Sequence, residues 1–263
     1  MTELVMLLVC LIASGLGSVA GFGGGVIIKP VLDALNVLPV STISFLSGCT
    51  VLAMSVVSLL KSRGNGVKLQ IRTTMPLAAG AAVGGLIGKW LFELIKSSAD
   101  ENVLGLCQSA LLLALTVLVW IYTVKRDCLP SYRLENLQVC GLAGLGLGMV
   151  SSFLGIGGGP MNVALLFLLF SMDAKTAAKN SIFIILFSQA ASLASALCQQ
   201  NVPYFAWHQL TLMVAGGVGG ALLGAAMSRR MDNRAVERLL MALMLIILIV
   251  NGYNIFHFAF GRG

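Results

Sequence analysis

Residues 21–25, Gly21-Phe22-Gly23-Gly24-Gly25, and residues 155–159, Gly155-Ile156-Gly157-Gly158-Gly159, decide the architecture of this chain. Both interrupt long apolar stretches. They stand 134 residues apart (23 to 157) in a chain of 263, the signature of a duplicated unit with a helix breaker inside each copy. A second repeated pattern agrees. Gly80, Gly84 and Gly88 are spaced by four, as are Gly216, Gly220 and Gly224, at an offset of 136 (80 to 216). Small residues at that spacing let helix backbones approach closely, so these triplets read as packing faces.

Hydrophobic residues make up 58% of the chain and charged residues 10%, whereas a soluble domain carries roughly 25% charged residues. Such a composition belongs in a bilayer. Apolar runs at 42–60, 73–94, 103–124, 176–197, 207–227 and 234–256 each approach the ~20 residues that cross about 30 Å of hydrocarbon. The first apolar run ends in Ser18-Val19-Ala20, which resembles a signal-peptide cleavage site. Its leading segment, however, carries Glu3 and no basic residue, against the usual basic start of a signal peptide. The run also has a counterpart in the second half.

Loop charge orients the spans. Lys61, Arg63, Lys68 and Arg72 fall in one loop, Lys125, Arg126 and Arg133 in another, and Arg229, Arg230, Arg234 and Arg238 in a third. Counting Lys175 and Lys179 with them, 13 of the 17 Lys and Arg residues fall on the side expected to be cytoplasmic. The loops 93–101 and 198–206 lack this excess and are assigned outside. Segments 4–38 and 136–173 must then each turn back at their glycines. Each half becomes one broken-helix hairpin plus three spans, with corresponding segments running in opposite directions. The expected fold is an all-α polytopic membrane protein of two inverted repeats, 1–130 and 131–263, with both termini outside (periplasmic).

An interrupted helix in hydrocarbon leaves N–H and C=O groups unpaired, which is tolerable only where protein buries them or a wet cavity receives them. Helices are predicted to resume at 25–36 and 160–170, and Pro160 suits a first turn because its missing N–H would be unpaired there anyway. A helix N-terminus presents N–H groups and a positive dipole end to an anion, and glycine lets the ligand reach the backbone. Two such tips from oppositely oriented halves would meet near the bilayer midplane. The candidate substrate-binding residues at the tips are Phe22, Gly23, Gly24, Gly25, Ile156, Gly157, Gly158, Gly159 and Asn162.

Five ionisable or polar positions extend this set. Lys29 and Asp33 lie four apart on the helix after the first tip, where Lys29 either lends charge to the site or pairs locally. Asp33 is the deeply placed carboxylate and hence the candidate for ion coupling. Asn180 and Ser181, with Ser47 at the position equivalent to Ser181, either contact substrate or join helices. Lys89, late in its span, is read as snorkelling outward.

Other function classes find little support. There is no HExxH, no cluster of metal ligands, and His208 and His257 stand at span ends, far from any nucleophile pattern, so neither catalysis, a bound metal nor a cofactor is expected. The net charge of +7 is spread over short loops rather than one face, which argues against nucleic-acid binding. The expected partners are a small anion and the lipid bilayer, with protons or sodium as candidate coupling ions. A homodimer is left open.

At these residues the sequence resembles the TauE/SafE sulfite exporter family of bacterial membrane proteins. The first motif reads Gly21-Phe22-Gly23-Gly24-Gly25-Val26-Ile27-Ile28-Lys29-Pro30, the second Gly155-Ile156-Gly157-Gly158-Gly159-Pro160-Met161-Asn162-Val163-Ala164, continuing to Ala177-Ala178-Lys179-Asn180-Ser181. The resemblance spans essentially the whole chain. It implies a multi-pass protein of the bacterial cytoplasmic (inner) membrane that moves sulfite, sulfoacetate or other organosulfonates, with export as the direction and alternating access as the mechanism. The residues by themselves imply an anion, and leave open a carboxylate or sulfate substrate and a passive anion channel.

Overall fold

The computed structural model describes residues 2–62, 69–125, 132, 134 and 136–260. Arg63, Lys68, Arg126 and Arg133 of the basic loops lie outside these residues. Ten helices are present among those described: α1 (Thr2–Ala20), α2 (Gly25–Ala34), α3 (Val40–Lys61), α4 (Ile71–Ser98), α5 (Glu101–Val124), α6 (Leu137–Leu154), α7 (Pro160–Phe170), α8 (Ala174–Cys198), α9 (Trp207–Arg230) and α10 (Asn233–Phe260). Eight are long and apolar enough to cross a membrane. The exceptions are α2 and α7, which follow the glycine tips and, at 10 and 11 residues, reach only about half of a 30 Å hydrocarbon layer.

The hairpin arms are thus unequal, and the helices that resume after the tips are short, close to the expected 25–36 and 160–170. Both α1 and α6 are full-length candidates for spanning, whereas their partners stop early. The order long, short, long, long, long occurs once in α1–α5 and again in α6–α10.

Helix pairing follows the glycine triplets and exchanges the halves. A side chain at Gly80, Gly84 or Gly88 of α4 would overlap the backbone at Gly141, Leu145 or Met149 of α6. In the same way Gly216, Gly220 and Gly224 of α9 lie against Leu7, Leu11 and Gly15 of α1. The struck positions also stand 134 apart (7 to 141). Backbones in such contact gain dispersion and lose little side-chain entropy, the stabilisation available where lipid is as apolar as leucine.

The helix ends gather in two sets. At one end, Lys175 Nζ donates to the Met231 carbonyl, Lys179 Nζ to that of Ser62 and Arg229 Nη2 to that of Lys61. This brings together the last turns of α3 and α9 and the first turns of α8 and α10. At the other end, Ser41 Oγ donates to the Glu101 carboxylate, Thr42 Oγ1 donates to the Tyr204 carbonyl, and His208 meets Glu3 at 2.9 Å. There α1, α3 and α5 begin, beside the start of α9. The first end is called the basic end below, the second the opposite end.

The core sits around the two tips. One buried cluster joins Phe22, Val26, Ile156, Val163 and Phe167 to α5, α6 and α10, and a smaller one joins Ile28 and Leu32 of α2 to Met6, Cys10 and Ile43. Large apolar side chains on the outer surfaces of α4, α5, α9 and α10, such as Trp90, Leu118, Leu223 and Ile249, stay exposed. In a bilayer these faces meet lipid.

Candidate functional site

The two glycine tips meet in the interior, beside the crossing of α3 and α8. Val51 lies midway along α3 and Ile185 midway along α8, and Gly23 packs against both. Gly157 rests on Val51 and Gln189, and Gly158 on Ile185. The tips also touch one another: a Cβ at Gly25 would overlap the Ile156 carbonyl, and one at Gly159 would lie 3.0 Å from Val26 Cγ2. Repeat-related contacts recur, with Gly21 on Ala178 of α8 and Gly155 on Ser44 of α3, residues 134 apart (44 to 178). Phe22 and Ile156 point into the buried core between the tips.

The tips differ in how much backbone they leave free. In the first, Phe22 and Gly23 N–H donate to the Gly17 carbonyl and Gly25 N–H to that of Gly23. Gly17 lies so close beneath Gly24 that a Cβ there would strike the Gly24 nitrogen. In the second, the N–H groups of Gly157, Gly158, Gly159 and Met161 have no acceptor among the described residues. The position equivalent to Gly17 is Ser151, whose carbonyl accepts from Ile156 N–H at 3.4 Å, as that of Gly17 does from Phe22. A cavity of about 310 Å³, mouth included, opens there between α5, α6 and α7, lined by Thr116, Ser151, Gly158, Met161 and Asn162 among apolar residues.

Buried polar atoms without a partner concentrate on the helices that enclose the tips. Among the described residues these include the hydroxyls of Ser14, Ser47, Ser55, Ser151, Ser152 and Ser188, and Nε2 of Gln189; Asp33, Gln108, Asn254 and His257 carry others on α2, α5 and α10. A buried polar group left unpaired costs roughly 1–3 kcal/mol, so such a concentration marks a place built for a polar guest. Sequence reading found Ser47 and Asp33 but missed the rest. The signal was present: Ser151-Ser152 immediately precede the second motif, and Ser188-Gln189 interrupt an apolar run.

The other predicted residues divide. Asn162 is buried at the start of α7 beside Gly158. Ser181 Oγ donates to the Gly21 carbonyl at 2.6 Å and so fixes the first tip to α8. Asn180 is occupied by protein: its Oδ1 accepts from Thr74 Oγ1 at 2.5 Å and from Gln70 N–H at 3.1 Å, while Nδ2 donates to the Thr176 carbonyl. It joins α8 to the start of α4, which has no side-chain cap of its own. Lys29 and Asp33 are both buried and pair with each other at 2.5 Å, leaving Oδ1 of Asp33 unpartnered. Neither lines the cavity at the second tip.

The fold and site together define a polytopic membrane transporter whose two half-length helices end at one interior point. The sequence matches the family model described as sulfite exporter TauE/SafE over residues 6–251, and the chain belongs to that family. A Bacillus subtilis (strain 168) protein described as "Probable membrane transporter protein YunE" is 25% identical over 270 residues, covering 94% of this chain and 96% of that protein. No solved structure matches.

Proposed function

We propose that this protein exports small sulfur-containing anions, sulfite, sulfoacetate or another organosulfonate, across the bacterial inner membrane by alternating access. The observation that carries this reading is the second tip, where four N–H groups have no acceptor among the described residues and Gly158, Met161, Asn162 and Ser151 line one interior cavity. Helix-end N–H groups favour an anion electrostatically but carry only partial charge, which suits a ligand that must bind and then leave. The sulfur chemistry of the substrate rests on the family. Tight contact of the tips with each other and with Val51 and Ile185 favours a carrier over an open pore.

Vesicle flux tests the reading. Saturable uptake of labelled sulfite or sulfoacetate with counterflow is expected of wild-type protein. Non-saturating flux would replace the carrier with a channel, and preference for sulfate or a carboxylate would replace the substrate class.

The halves 1–130 and 131–263 form inverted repeats in this reading, since α3 and α5 begin at the opposite end and their counterparts α8 and α10 at the basic end. The basic end faces the cytoplasm by loop charge. Reporter fusions at Asn65 and after Gly263, both outside the described residues, should then give opposite signals; like signals would overturn the orientation.

A further inference from the structure

Lys89 does not snorkel. Its side chain is only 11% exposed, its ammonium lies 2.7 Å from Glu93 Oε1 and 4.5 Å from the centre of the Phe92 ring, and it lines a cleft of about 330 Å³, mouth included. Ser44, Ser152, Gly155, Gln189 and Ser192 line the same cleft. The cleft therefore runs from the last turns of α4 and α8, at the opposite end, down to the first residue of the second glycine motif.

Two of its groups are built for a ligand that the protein does not supply. Gln189 is 2% exposed and Ser152 4% exposed, yet Gln189 Nε2 and Ser152 Oγ have no partner among the described residues. An i,i+4 ion pair with Glu93 accounts for Lys89 as a helix surface pair. It leaves the unpaired amide and hydroxyl beside it without explanation. A cation with two buried hydrogen-bond donors is instead the chemistry that holds an oxyanion.

The basic end carries the repeat-related cleft. It is lined by Ser18, Ser58 and Ala178, which lie 134 residues before Ser152 and Ser192 and after Ser44 respectively. Its cations are Lys175 and Lys179, whereas the position corresponding to Lys89 is Ala225. A buried or half-buried lysine thus appears in each cleft although the sequence positions differ, so the charge is matched to the cleft rather than inherited with the repeat.

We propose that the Lys89 cleft is a second oxyanion station, adjoining the second glycine tip and sharing Gln189 with it, where the anion is held by Lys89, Gln189 and Ser152 between the opposite end of the bundle and that tip. This rests on the anion-transport reading above. Glu93 neutralises Lys89 when the station is empty, and the anion competes with it for the ammonium. Binding there loads or unloads the tip from one side only.

Uptake of labelled sulfite and sulfoacetate into right-side-out and everted membrane vesicles tests this. Lys89→Met/Glu93→Gln removes the pair whole and avoids stranding the Glu93 carboxylate, while Gln189→Leu alters no charge and keeps the volume. Both variants should raise KM roughly 10-fold or more, the worth of one charge-assisted or buried hydrogen bond, when anion is presented at the opposite end. In Lys89→Met/Glu93→Gln, KM for anion presented at the basic end should stay within about twofold, whereas Gln189, which also packs on Gly157 at the tip, should matter from both sides; Lys89→Arg should retain most of the affinity. Wild-type flux with unchanged KM in both variants overturns the station and spares the transport reading. An equal rise from both sides in Lys89→Met/Glu93→Gln overturns it too, since the pair would then serve the tips. Wild-type vesicles that move neither anion overturn the transport reading and the station with it.

Discussion

Gly158→Val should abolish anion flux, a loss of at least ~100-fold in initial rate, while the protein still inserts in the membrane. Gly158 holds φ at +148°, a conformation that costs a side-chain-bearing residue of order 1–3 kcal/mol. Its Cβ would also stand 2.5 Å from Ile185 Cγ1 and 2.9 Å from Asn162 Nδ2. The branched side chain would crowd the tip against Ile185 and Asn162 and block approach to its backbone. Losing two or three charge-assisted hydrogen bonds at about 1.5–3 kcal/mol each more than accounts for the predicted loss. Gly24→Val, at φ +65° and with a Cβ 3.0 Å from Ser14, should have a similar effect through the first tip. Membrane-fraction blots alongside vesicle flux decide the matter. A Gly158→Val protein that inserts normally and transports at the wild-type rate would make this cluster a packing turn.

Lys29→Met should be the most destabilising single change in α2. Both members of the Lys29–Asp33 pair are at most 3% exposed, and removing one partner of a buried pair strands the other charge at a cost of about 3–5 kcal/mol. The expected result is a sharp fall in folded yield and in the detergent-solubilised Tm. Lys29→Met/Asp33→Leu, which replaces the pair with apolar volume, should recover most of both. Sulfite titration of the recovered double variant then separates the two roles of Lys29. Near-normal affinity assigns the pair to structure, and lost affinity in a well-folded protein assigns Lys29 to the anion. Asp33→Asn addresses coupling in the same vesicles: a pH dependence of flux that survives this change removes Asp33 as the coupling carboxylate.

Much of the site was legible because its signals are local. A glycine cluster inside an apolar run breaks a helix wherever the run is placed, and Pro160 fixes the first turn of α7 through its own ring. The starts of both short helices at Gly25 and Pro160 follow from these features. Asn180 and Ser181 were visible as polar residues at the right depth. Their partners were not, because Thr74, Gln70 and Gly21 lie more than a hundred residues away in sequence. Gly17 and Ser151 look alike as small residues in an apolar helix, and only the fold seats Gly24 on Gly17 while Ser151 and Gly158 line one cavity.

Lys89 shows where local reasoning led outward and the fold led inward. A lysine near the end of a long apolar helix is free to snorkel when lipid surrounds it. Here α4 lies against α6 and α8 along its small-residue face, and one turn beyond Gly85, which touches Ser188, Lys89 turns to Phe92 and Glu93 at the cleft.

By itself the sequence determined a membrane-embedded helical chain, duplicated, broken twice by glycine and faced with packing triplets. These properties depend on composition and on periods of a few residues, which the chain carries wherever it folds. Only the tertiary structure decided that α4 pairs with α6 and α1 with α9, which residues the touching tips pack on, and which buried polar groups are left without partners. Those outcomes depend on which of several similar apolar faces meet. In a bilayer nearly every such face is equally hydrophobic, so backbone fit between distant segments, rather than hydrophobicity, makes the choice.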